Sequence, residues 1–150
     1  MLRVFGWAER FELLDCIGSG AMGQVWRAKE RDSEKIVALK MLDPARVGDE
    51  QTLARLDIEA ATLMKLREAG AHENIVPILD FKLTESHACL VMEFIPGLNL
   101  KKWCEAHRLG LRERVRLVAK VARASGWFHG QGIVHRDLKP QNILIHAETG

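Results

Sequence analysis

The sequence predicts an α+β fold: a five-stranded antiparallel sheet with one helix, followed by the beginning of a helical region. Three observations predict it. Five short apolar-rich runs bounded by glycine and polar turn residues recur through residues 1–95. A single stretch among them has a helical period. Beyond Pro96-Gly97 a longer helical period takes over, so a boundary near Pro96 divides a unit over 1–95 from one over 96–150.

Phe11 to Ile17 is an apolar-rich run that stops at Gly18-Ser19-Gly20, and Gln24 to Ala28 resumes after Gly23, which predicts a hairpin with a glycine-rich tip. Lys35 to Leu42 is a third strand, closed by Pro44. Alternation puts Val37, Leu39 and Met41 on one face and Ala38, Lys40 and Leu42 on the other. Leu56, Leu63 and Leu66 recur at spacings of seven and three, one face of a helix that Gly70 stops. Ile75 to Lys82 and His87 to Phe94 read as two more strands around a Thr84-Glu85-Ser86 turn. Further on, Leu111, Val115, Val118 and Ala122 form one helical stripe, and Leu117, Val121, Ala124 and Phe128 form a second beside it. That helix is expected to be mostly buried and to end at Gly130 and Gly132.

Composition bounds the function classes. The 150 residues are 47% hydrophobic and 28% charged, a globular rather than disordered balance. The net charge of +2 comes from 22 basic and 20 acidic residues spread along the chain, which argues against a nucleic-acid partner or a polybasic membrane surface. Cys16, Cys89 and Cys104 show no CxxC pairing and read as free thiols of a reducing compartment, with Cys16 read as a core residue of its strand in preference to an accessible thiol bordering the glycine-rich run. Residues 1–10 lack the apolar core of a secretory signal, and no apolar run approaches the ~20 residues that span a bilayer. A cytoplasmic protein with no membrane segment in this chain is expected. The histidines have no mutual spacing that suggests a metal site.

Four motifs carry chemistry. Gly18-Ser19-Gly20-Ala21-Met22-Gly23-Gln24-Val25 is a GxGxxGxV pattern whose backbone N–H groups can approach phosphate oxygens with no Cβ in the way. A dinucleotide-dependent oxidoreductase shares GxGxxG but needs a helix straight after the glycines, whereas Val25-Trp26-Arg27-Ala28 reads as a strand. Lys40, in Val37-Ala38-Leu39-Lys40, shares a strand face with Ala38; it is either a strand-edge lysine or a cation for nucleotide phosphates. Glu59 falls on the inward face of the Leu56 to Leu66 helix. There it is either a rim glutamate or a buried carboxylate that needs a partner, with Lys40 the obvious one. His135-Arg136-Asp137-Leu138-Lys139-Pro140-Gln141-Asn142 is the most specific.

That last segment resembles the HRDxKPxN catalytic loop of eukaryotic-type protein kinases, and the other three motifs fall in that family's order. The resemblance implies a protein-kinase-like fold, an ATP-binding lobe over 1–95 and a partial second lobe over 96–150. It implies transfer of the ATP γ-phosphate to Ser/Thr hydroxyls of proteins, with Mg²⁺. By the same likeness Asp137 is the catalytic base and Lys139 neutralises charge on the γ-phosphate. Asn142 is an Mg²⁺ ligand, and Lys40 and Glu59 form an ion pair. Nucleotide contacts fall to Ile17, Gly18, Gly20, Gly23, Val25, Ala38, Lys40 and Leu144, to Met92 as gatekeeper, and to the backbones of Glu93 and Ile95; Asn99 is placed near the ribose. Lys139 followed by Pro140 is similar to Ser/Thr-directed members, and the Gly132 to Asp137 run to bacterial ones.

Family members continue past Asn142-Ile143-Leu144 into an Asp-Phe-Gly motif that this sequence does not contain. Two readings follow. One is a fragment of an active kinase with negligible phosphotransfer by itself. The other is a short pseudokinase that binds nucleotide or a partner protein.

Overall fold

The computed structural model describes residues 6–20, 23–42, 62, 65–70, 72–84 and 87–148. Glu59, Leu56, Leu63 and the Ala21-Met22 tip lie outside them. The chain forms two compact units, one of residues 1–70 with 77–94, the other of residues 71–76 with 95–150.

In the first unit, β1 (Phe11–Gly20), β2 (Gly23–Glu30), β3 (Ile36–Leu42), β4 (Ile78–Thr84) and β5 (His87–Glu93) make one antiparallel sheet in the order β1-β2-β3-β5-β4. The first strand does not stop at Gly18. Gly18, Ser19 and Gly20 stay paired with Val25, Gln24 and Gly23: glycine is disfavoured in strands, but its backbone N–H and C=O still join a ladder when the partner strand continues. The fourth strand starts at Ile78, three residues later than its apolar run suggests. Ile75 N donates instead to His72 O (2.9 Å) in a turn, and Pro77 has no N–H for a ladder.

Alternation sorts the sheet into two faces. One carries Ala28, Val37, Leu39, Met41, Cys89 and Val91, all buried, and Trp7 and Phe11 complete this core with their rings edge-on at 5.5 Å. Burial raises the Cys89 thiol pKa to about 12, helped by the negative charge of Asp80. Cys16, expected in the core, is exposed on β1, its Sγ 3.4 Å from Gly18 O. Beside the core, Arg10 donates to Glu30 (2.9 Å) and Asp80 (2.5 Å), joining β2 to β4, with its guanidinium 4.7 Å from the Phe11 ring centre.

The second unit contains β6 (Gly97–Asn99), α1 (Leu100–His107), α2 (Leu111–Gly130), a 3₁₀ turn (Pro140–Asn142) and β7 (Leu144–His146). Asn99 Oδ1 caps α1 by accepting Lys102 N at 3.0 Å. Glu113 Oε2 accepts Gly110 N (2.8 Å) at the start of α2. Strands β6 and β7 pair antiparallel, Gly97 opposite His146 and Asn99 opposite Leu144.

The burial expected for α2 is found only in part. Ala124 alone is buried along it, and Leu111, Val115 and Val118 are 78%, 58% and 60% exposed. The second stripe is covered, with Leu117, Val121 and Phe128 half-buried around Ala124, so the helix buries one side of its wide apolar face and leaves the Leu111, Val115 and Val118 side exposed.

Candidate functional site

The first unit contributes one sheet face. Cross-strand partners point the same way, so the pairs Val25↔Lys40, Lys40↔Leu90, Arg27↔Ala38 and Ala38↔Met92 gather Val25, Arg27, Ala38, Lys40, Leu90 and Met92 opposite the buried core. Lys40 is half-buried, held between β2 and β5. Gly18 lies under this face: a Cβ there would sit 3.8 Å from Val25 Cβ. Arg27 was not singled out by sequence, although its i, i+2 relation to Val25 could have placed it. It donates to Asp15 at 2.6 Å, and its guanidinium is 5.9 Å from the Phe94 ring centre.

Ile17 is exposed, and Gly20 and Gly23 pair with each other at the turn end of the hairpin. Glu93 ends β5, and its N–H donates to Pro77 O at 3.0 Å. Any adenine contact through this backbone must therefore use the Glu93 carbonyl. Ile95 belongs to the second unit.

In the second unit the loop after α2 gathers Asp137, Lys139 and Asn142. Gly132 (φ +72°) turns the chain out of the helix with its N–H on His129 O at 2.9 Å. Arg136 has φ +60°, and Asp137 N donates to His135 O at 2.8 Å across it. His135 lies edge-on to Phe128 of α2, with ring centres 6.0 Å apart. Pro140 then opens the 3₁₀ turn, a position where its missing N–H costs nothing, and Asn142 N closes it on Lys139 O at 2.9 Å.

The turn brings Asn142 back onto Asp137. Its Nδ2 donates at 2.8 Å to both the backbone O and the Oδ2 of Asp137. Lys139 Nζ reaches the other carboxylate oxygen, Oδ1, at 2.9 Å. The Lys139 hydrogen bond, and after it the Asn142 one, hold the Asp137 carboxyl below the usual aspartate range. The group is an ionised carboxylate in a fixed orientation, with an ammonium beside it. Both side chains are about half exposed, at 49% and 47%, so a substrate can reach them. Sequence reasoning gave Asn142 a metal role only; its grip on Asp137 depends on the intervening 3₁₀ turn, which no motif spacing reveals.

Leu144, two residues on, is 47% exposed on β7. Asn99, placed near a ribose by resemblance, has its Oδ1 committed to the α1 cap. Among the described residues no three His, Cys, Asp or Glu side chains form a metal cluster, and no helix is long and apolar enough to cross a membrane.

Comparison with known proteins gives the family. Residues 11–150 match the protein kinase domain family. The chain is 36% identical over 146 residues to the serine/threonine-protein kinase pkn3 of Myxococcus xanthus, covering 92% of this chain and 25% of that protein. It is 33% identical to the probable serine/threonine-protein kinase PknB of Lactococcus lactis over 142 residues, 93% of this chain and 22% of the relative. For the probable serine/threonine-protein kinase CPE1738 of Clostridium perfringens the figures are 35% over 140 residues, 93% and 20%. The chain thus spans about a fifth to a quarter of the length of these relatives. With the four motifs in order, the five-stranded sheet, and Asp137, Lys139 and Asn142 joined in one loop, this chain belongs to the protein kinase domain family.

Proposed function

We propose that the protein carrying this chain is a cytoplasmic Ser/Thr protein kinase that transfers the γ-phosphate of ATP to hydroxyls of protein substrates. Residues 1–95 serve as the ATP-binding lobe, and 96–150 supply the catalytic loop. The observation that carries the reading is the bonded set of Asp137, Lys139 and Asn142.

The chemistry follows from that set. Phosphoryl transfer asks a protein mainly to position groups and to neutralise charge. Asp137 accepts a hydrogen bond from the incoming hydroxyl, aligns it with the phosphorus and takes its proton as the new P–O bond forms and the bond from the γ-phosphorus to the β,γ-bridging oxygen breaks, with ADP as the leaving group. A carboxylate held by two hydrogen bonds is a weak base, so orientation is its larger contribution. Lys139, already beside Asp137, is placed to meet negative charge on the transferring group.

Lys40 serves the nucleotide phosphates and Glu59 is its ion-pair partner. Ile17, Gly18, Gly20, Gly23, Val25, Ala38, Met92 and Leu144, with the Glu93 and Ile95 backbones, are the nucleotide contacts. Asn142 suits Mg²⁺: its two side-chain bonds to Asp137 both use Nδ2, which leaves the amide Oδ1 as an oxygen donor of the kind Mg²⁺ takes. Bound Mg²⁺ would neutralise phosphate charge.

The test is phosphate transfer from labelled ATP to a Ser/Thr peptide by the full-length protein and its Asp137→Asn variant. The variant should retain ATP affinity while its turnover falls by roughly 10³-fold or more, the loss expected when positioning and base are removed together. Equal turnover in both proteins would refute the assignment. ATP binding with no transfer by either would favour a nucleotide-binding module instead.

A further inference from the structure

We infer that Gly97 is a positioning residue for the nucleotide- and substrate-handling loop, acting through the strand β7 that follows it. The segment after β5 lies on residues 143–147 at unusually close range. A Cβ built on Gly97 would sit 1.9 Å from Ile145 O, 3.0 Å from Ile145 C and 3.1 Å from Ala147 N. Real Cβ atoms essentially never come within 3.0 Å of such atoms. The obstruction is backbone, so no shortened neighbouring side chain can relieve it. The contrast with Gly20, Gly126, Gly130 and Gly132 is complete, since a Cβ at each of these meets nothing within 4 Å.

Around this contact the two segments are stitched together. Ala147 N donates to Pro96 O at 2.7 Å and Leu100 N to Ile143 O at 2.8 Å, on either side of the Gly97↔His146, Leu98↔Ile145 and Asn99↔Leu144 pairs. Ile143 directly follows Asn142, which holds Asp137, and Leu144 is the first residue of β7. Any side chain at position 97 forces β7 away from β6 by more than an ångström. Ile143 and Leu144 are carried with it. One fixed point of the strand that follows the loop is therefore a residue forty positions upstream of Asp137.

The consequence for turnover rests on the kinase reading; the backbone contact does not. The experiment compares full-length wild type, Gly97→Ala and Gly126→Ala. It measures KM for ATP and kcat on a Ser/Thr peptide, and amide hydrogen exchange at Leu100 and Ala147. Gly97→Ala should raise KM for ATP about tenfold and lower kcat/KM by roughly 10²-fold, the scale for a displacement near 1 Å. Leu100 and Ala147 amides should lose protection while β1–β5 amides keep theirs. Gly126→Ala should match wild type in every readout.

Wild-type KM and intact Leu100 and Ala147 protection in Gly97→Ala would overturn the inference. If Gly97→Ala does not fold, Ala147→Pro decides. It removes the donor to Pro96 O and restrains the backbone at 146–147 while leaving Gly97 itself unchanged, and the inference fails if KM for ATP stays unchanged. Should wild type transfer no phosphate, the kinase reading fails by itself, and exchange at Leu100 and Ala147 still decides whether Gly97 sets the strand.

Discussion

At Asp137 two neighbours fix one carboxylate, and their effects can be separated. The Lys139 ammonium on Oδ1 is the larger cause of its lowered pKa and the Asn142 amide on Oδ2 the smaller. A carboxyl with a depressed folded pKa stabilises the fold above its unfolded pKa and loses that contribution as pH falls through the folded one. Because both partners are half exposed, solvent and salt screen the effect on stability, and direct titration is the better readout. Carbon-13 titration of Asp137 should give a midpoint below the ordinary aspartate value. Lys139→Met should move it up most of the way and Asn142→Ala by less. An unmoved midpoint in Lys139→Met would show that the 2.9 Å contact does not hold in solution.

Within the sheet, Arg10 is the clearest case of a side chain holding elements together. Burial works against its charge, but hydrogen bonds to Asp80 and Glu30 outweigh this and raise its pKa. Glu30 is lowered in return, first by Ser33 at 2.6 Å and then by Arg10. Arg10→Ala should cost about 1 kcal/mol at neutral pH, a modest figure because the guanidinium is partly exposed, with some of it from the lost cation–π contact with Phe11. The difference from wild type should be full above the ordinary glutamate value and shrink as pH falls through the lowered Glu30 pKa. Urea unfolding of both proteins at pH 7 and pH 3 checks this; a difference that grows at pH 3 would refute the ion-pair account. Arg10 also marks a limit of legibility. The strands of the sheet and the face shared by Ala38 and Lys40 follow from two-residue alternation, and the loop from its motif. The Arg10 clamp, the three-residue strand β6 and the Gly97–Ile145 approach each depend on partners fifteen or more residues away. Such partners leave no period in the sequence. Cys16 and Cys89 show the same limit: the register puts both on the core's face, Cys16 through Trp26 and Leu39, and only sheet order tells that Cys89 is covered on the inner strand β5 while Cys16 is exposed on the edge strand β1.

Across the whole molecule, burial is divided unequally between the two units. Phe11, Leu39, Met41, Cys89 and Val91, the largest fully buried side chains, all belong to the sheet unit. In the other unit Ala124 and Ile145 are the buried apolar residues among those described, while α2 exposes Leu111, Val115 and Val118. Local stability follows buried apolar contact, so the two units of the 150-residue chain should open at different free energies. Amides of β2, β3 and β5 should exchange last, and those of the first turns of α2 early. Substitutions should divide the same way. Leu39→Ala should cost about 2–5 kcal/mol of the sheet transition, since it leaves a cavity in a closed core. Leu111→Ser and Val115→Ser should each cost under about 0.5 kcal/mol, because those side chains remain in water. Urea unfolding of this chain followed by hydrogen exchange reads all three. A Val115→Ser loss as large as that of Leu39→Ala would mean that the open face of α2 is packed in solution, and that self-association of the chain should be examined next.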